Sequence, residues 1–148
     1  MGKKNRIIIR IMDILGLLMI IATFVLLIIR WDAMGIMVEA NDDVSDGRGT
    51  VIILVVLSFI MYGMISVIEH FPAMWNTGIK VTEQNKVMVY SILRQLISSV
   101  KFEMVVMFSI LSIFIMYNIE AGLVLILVFL VSVTVTIVYN LIRLFKCK

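Results

Sequence analysis

The 148-residue chain has one cysteine, one proline and one histidine, and four long stretches without any Asp, Glu, Lys or Arg. Each scarcity excludes something. Cys147 alone can close no internal disulfide and build no thiolate metal cluster. His70 alone, even with Glu69 beside it, offers two metal ligands where a site wants three or four. No Ser-His-Asp set can be assembled around it, because its neighbours are not elbow-like. HExxH, CxxC and phosphate-cradling glycine loops are absent as well. The 12 methionines follow no repeated motif and read as adaptable packing residues. Catalysis has no residues to assemble on, and no metal or other cofactor is expected.

What is present is hydrocarbon-like surface. The chain is 62% hydrophobic with a mean hydropathy of +1.12, more than a water-soluble core of this size could hide. The charge-free stretches are 14–29, 51–68, 104–119 and 121–142, each approaching or exceeding the ~18–20 residues that cross a bilayer. An all-α integral membrane protein with four transmembrane helices is expected, as one domain over residues 1–148 with spans at about 7–29, 51–69, 102–118 and 121–142. The basic start followed by an apolar run resembles a secretory signal, but the run is too long and no small-x-small site follows, so an uncleaved first span is expected.

The formal charge of +3 says less than where the charges lie. Lys3, Lys4, Arg6 and Arg10 precede span one. Lys80, Lys86, Arg94 and Lys101 lie between spans two and three, and Arg143, Lys146 and Lys148 follow span four. The loop 30–50 carries Asp32, Glu39, Asp42, Asp43 and Asp46 against Arg30 and Arg48. The positive-inside bias therefore places both termini and residues 69–101 in the cytoplasm and the acidic loop outside, in a cell membrane. Basic residues spread along membrane flanks do not suit nucleic acid. Cys147, between Lys146 and Lys148, is either a spare thiol or a palmitoyl acceptor.

Along the chain, Arg10 and Asp13 are three apart in the first turns of span one, a spacing that predicts an intramembrane ion pair. Asp13, as an intramembrane carboxylate, is also a candidate for a proton or cation role. Trp31 marks the outer interface. The turn-forming run 41–50 and its acidic neighbours read as a solvated loop, since the spacing lacks the Glu that closes an EF-hand. In span two, Ser58, Tyr62 and Ser66 recur every four residues and lead to Glu69 and His70. Such a polar line faces other helices, and Gly63 beside it would permit close approach. Span four repeats the pattern with Ser132, Thr136, Tyr139 and Arg143, and span three adds Ser109 and Ser112. The connection 118–121 is short enough to make spans three and four an antiparallel hairpin.

The least membrane-like stretch is 69–86. Pro72 should stop span two near Glu69–His70, Asn76-Thr77-Gly78 is a turn signal, and Thr82 with Glu83 in the first turn should start a new helix at about residue 83. From there to residue 101, Val89, Ile92, Leu93, Leu96, Ile97 and Val100 follow helical spacing while Lys86, Arg94 and Lys101 stay polar. This gives an amphipathic helix between spans two and three, either on the membrane surface or continuous with span three.

Residues 70–85 resemble a bacterial membrane family of unknown function, the domain at the N-terminus of SdpI-type immunity and signalling proteins. Its members carry a pattern like "YPHxFNYPVKVTEEN" after their second span. The chain matches at Pro72, Asn76, Val81, Thr82, Glu83 and Asn85, with Phe71 in place of tyrosine and Trp75 in place of phenylalanine. Asp46-Gly47-Arg48-Gly49-Thr50 is similar to the end of a second family motif that precedes span two, whereas Val38-Glu39-Ala40 replaces that motif's "HFN". The resemblance implies a non-enzymatic inner-membrane protein that acts in toxin immunity or envelope signalling through a partner. The candidate contact residues are His70, Phe71, Pro72, Trp75, Asn76, Lys80, Thr82, Glu83 and Asn85. The partners expected are the lipid bilayer and another membrane or cytoplasmic protein or a second copy of the chain. The hydroxyl faces and Asp13 supply the alternative, a small-solute or ion transporter or its accessory subunit.

Overall fold

The fold is that of a computed structural model, which describes residues 3–34, 37–38, 44–45, 47–72, 75, 80–120 and 122–146. Four helices hold most of them: α1 (Lys3–Arg30), α2 (Gly47–His70), α3 (Lys86–Met116) and α4 (Gly122–Phe145). Each is long and apolar enough to cross a membrane, which makes the chain a multi-pass membrane protein. The helical state suits that setting because it satisfies backbone N–H and C=O groups within each segment. Between α1 and α2, strands β1 (Met37–Val38) and β2 (Val44–Ser45) form an antiparallel ladder with Met37 opposite Ser45. The turn signals Asn76–Gly78 lie outside the described residues, as does Cys147.

The helix α3 is the axis of the bundle, packing against α1, α2 and α4, while α4 packs chiefly on α3. Its buried residues include Val89, Leu93, Ser98, Lys101, Val105, Ser109, Ser112 and Met116, spaced so that they share one face. Three of these are serines, and small side chains let neighbouring helix backbones approach. Outward faces are apolar: Ile14, Leu18 and Ile28 on α1, and Leu123, Val128 and Val131 on α4, are all exposed as lipid-facing side chains would be.

Two apolar clusters sit at opposite ends. Leu27, Met34, Val51, Val55 and Met116 close the end where α1 and α3 finish and α2 begins. Arg30 secures it, donating to the Met116 carbonyl at 3.3 Å with its guanidinium 4.2 Å from the centre of the Tyr117 ring. Val89, Ile92, Leu93 and Leu144 close the other end, with Trp75 and Val81 packed on them.

Element ends follow their local chemistry. The helix α2 stops at His70, two residues before Pro72, as proline's steric demands require. The helix α3 runs unbroken for 31 residues, so 86–101 is its first half and no separate surface helix exists among the described residues. Its regular part begins at Lys86, not at residue 83, because residues 82–85 form a reciprocal cap. The Thr82 N–H donates to Asn85 Oδ1 at 2.8 Å, and the Asn85 N–H donates to Thr82 Oγ1 at 3.4 Å. The first helical bond, from the Lys86 N–H to the Thr82 carbonyl, follows at 2.9 Å.

The α3–α4 turn is a Schellman motif built on asparagine. Asn118 has φ 55°, its N–H reaches the Ile115 carbonyl at 3.2 Å, and the Ile119 N–H reaches the Phe114 carbonyl at 2.9 Å. Asparagine tolerates this left-handed conformation, whereas a β-branched residue does not. Asn118→Val should therefore destabilise the protein by roughly 1–2 kcal/mol and Asn118→Gly should not, as read by thermal unfolding of the purified protein in detergent.

Candidate functional site

The polar line of α2 turns inward onto α3 and meets a buried lysine. Lys101 is 3% exposed, and its ammonium is surrounded by Glu69 Oε2 at 2.9 Å, Asp13 Oδ1 at 2.6 Å and Ser66 Oγ at 3.3 Å. The Tyr62 ring centre lies 5.1 Å away, and its hydroxyl donates to the Asp13 carbonyl at 3.2 Å. Arg94, two turns before Lys101, donates to the other Glu69 oxygen at 2.9 Å. Two carboxylates and two cations from α1, α2 and α3 thus form a neutral set, the arrangement in which buried charge is tolerated.

The sequence expectation for Asp13 needs correction. Asp13 pairs with Lys101 across the bundle, and Arg10 makes no ion pair with it. Arg10 lies on the exposed face of α1, while Asp13 is partly buried toward α3, where a desolvated ammonium is a stronger partner than a solvated guanidinium. Gly63 is also corrected: it is exposed, and a Cβ there would meet nothing within 4 Å. Gly16 is the glycine at the helix contact, where a Cβ would lie 3.6 Å from the Tyr62 ring.

Beside this set, the α2–α3 corner holds a cleft of about 320 Å³ lined by Glu69, His70, Pro72, Trp75, Tyr90 and Arg94, among others. Trp75 is fixed twice, by its Nε1–H donating to the Ile68 carbonyl at 2.8 Å and by an edge-on contact with Tyr90 at 5.9 Å between ring centres. His70 Nδ1–H donates to the Ser66 carbonyl at 2.7 Å, which turns the ring along its own helix. Of the motif residues, His70, Pro72 and Trp75 line the cleft, while Phe71 and Lys80 are exposed. Thr82 and Asn85 cap α3, and Asn85 also donates to the Lys80 carbonyl at 3.2 Å. Glu83 is solvated and 3.8 Å from Lys86. Asn76 lies outside the described residues. Among the described residues, no three His, Cys, Asp or Glu side chains come together as a metal site.

From the sequence, Lys101 and Arg94 are only polar positions on a helix that is either at the membrane surface or continuous with span three, and Glu103 has no assigned role. The available signal was phase, because Lys101 falls on the same helical stripe as Ser98 and Val105. Glu103 faces α4, where its Oε1 accepts from Ser132 Oγ at 3.0 Å and Thr136 Oγ1 at 2.6 Å. The hydroxyl face of α4 is thereby tied to a carboxylate. Elsewhere the hydroxyls of Ser58, Ser112 and Thr134 bond back to their own helices.

No family model, curated protein or solved structure matches the chain. Lys101→Met leaves Glu69 and Asp13 facing each other without their shared cation, and should cost about 3–5 kcal/mol of stability. In a double-mutant cycle measured by thermal unfolding, Asp13→Asn should cost markedly less in the Lys101→Met background than in the wild type.

Proposed function

We propose that the chain is a non-enzymatic bacterial inner-membrane protein that acts in toxin immunity or envelope signalling by receiving a partner at the α2–α3 corner. The observation that carries this reading is the cleft walled by the Glu69–Arg94 pair and the anchored Trp75. An ordered aromatic beside a half-exposed guanidinium is the type of surface on which interface anchors cluster. The basic residues flanking this corner favour the cytoplasmic side for it and for both termini. The resemblance of residues 70–85 to the SdpI-associated domain supports the same class.

A small-solute or ion transporter is the second reading, favoured by one observation: the Asp13 side chain is 31% exposed while paired to a buried lysine. Against it, the Lys101 ammonium is buried and already lies against Glu69, Asp13 and Ser66 of its own chain.

Cells lacking the chain should survive peptide-toxin challenge or envelope stress less well. Wild-type protein should restore survival, whereas Val87→Asp, an exposed change in the cleft wall, should not, at unchanged membrane abundance. Unchanged survival and unchanged expression of neighbouring genes in the deletion strain would count against the proposal. Ion- or proton-coupled uptake into vesicles that Asp13→Asn abolishes would favour transport in its place.

A further inference from the structure

The carboxylate of Glu103 is only half satisfied. Its Oε1 takes the hydroxyls of Ser132 and Thr136, while Oε2 is shielded from solvent and has no hydrogen-bond partner among the described residues. Glu103 also makes no ion pair among the described residues. It stands at the edge of the charge-free run 104–119 and opposite the charge-free run 121–142, among apolar neighbours that supply no donor. A carboxylate held there by neutral hydroxyls alone is costly unless something positive comes to it.

The surroundings specify what that would be. Glu103 and Ser132 lie in a groove of about 380 Å³ between α3 and α4, otherwise lined by Phe102, Val106, Met107, Leu125, Val128 and Phe129 and their apolar neighbours. The volume suits a small molecule, and the walls suit apolar substituents. Phe102 and Phe129 add aromatic rings to the lining, a residue type whose faces attract a cation. Water-soluble inorganic ions have no oxygen cage here, because the lining holds one carboxylate and one hydroxyl. A second copy of the chain fits poorly: an isologous contact through this groove would point two unpaired carboxylates at each other.

We propose that the α3–α4 groove is a binding site for a lipophilic organic cation, with Glu103 as its counter-ion. It is separate from the corner cleft, since Lys101 and Glu103, two residues apart, project from opposite sides of α3. The site opens sideways between two helices, so a ligand would enter from the bilayer and not through the bundle.

Tetraphenylphosphonium and tetraphenylborate, equal in shape and opposite in charge, test this by equilibrium dialysis against the full-length protein in detergent, corrected for protein-free micelles. The wild type should bind the phosphonium at least tenfold more tightly than the borate. Glu103→Gln, which keeps an acceptor for Ser132 and Thr136, should weaken phosphonium binding at least tenfold. Val128→Trp, which fills the groove without touching charge, should do the same, with thermal unfolding confirming that both variants are folded. Equal binding of the two ions, no binding, or a Glu103→Gln protein that binds like the wild type would overturn the proposal. So would a wild-type dimer that takes up no phosphonium and dissociates in Glu103→Gln, because the groove would then belong to a second copy.

Discussion

The bundle depends on one buried ammonium. Lys101 draws a carboxylate from α1 and another from α2 onto α3, and the three helices cannot separate there without exposing unpaired charge to an apolar medium. Helices in a membrane gain little from apolar contact with each other, since lipid offers the same contact. Register and rotation must therefore come from polar groups, and here they come from Lys101, with Arg94 and Tyr62 fixing its partners. Replacing such a set by apolar residues need not weaken the fold, but removing one member strands the rest.

The length of α3 follows from the same requirement. At about 1.5 Å per residue, its 31 residues span about 46 Å, well beyond the ~30 Å of hydrocarbon. All its charged residues lie between Lys86 and Glu103. The excess length therefore falls toward its charged N-terminal end, which carries the Val89–Leu93 cluster that supports Trp75. The corner cleft is thus a consequence of a spanning helix that begins early, and Pro72 and the Thr82–Asn85 cap set where the chain turns to enter it.

The four helices, the stop at Pro72 and the α3–α4 hairpin were legible in the sequence because each has a local cause: apolar length, a missing N–H and a connection too short to leave the two helices apart. Pairing was not. The spacing of Arg10 and Asp13 pointed to a local ion pair, yet Asp13 joins a residue 88 positions away, and no local spacing encodes that choice. Gly63 failed for the same reason: a small residue permits close approach only if a helix lies opposite, and among the described residues nothing comes within 4 Å of a Cβ built there. Glu103 carries no local signal of its partners, which lie 29 and 33 positions away, although Ser132 and Thr136 were visible as part of a polar line on span four.

Lys101 and Glu103 show how two charges so close in sequence can differ in kind. Two residues along a helix turn about 200°, so the lysine points at α1 and α2 while the glutamate points at α4. On the first side every charge is answered within the chain, and the geometry braces. On the second, only hydroxyls answer, α4 touches little besides α3, and one oxygen is left without a partner beside an apolar groove. A charge that the fold fully satisfies is accounted for by the fold. Asp13 Oδ1 also lacks a hydrogen-bond partner but lies against the Lys101 ammonium, whereas Glu103 has hydroxyls alone and no cation among the described residues, which is the difference that the proposed site rests on.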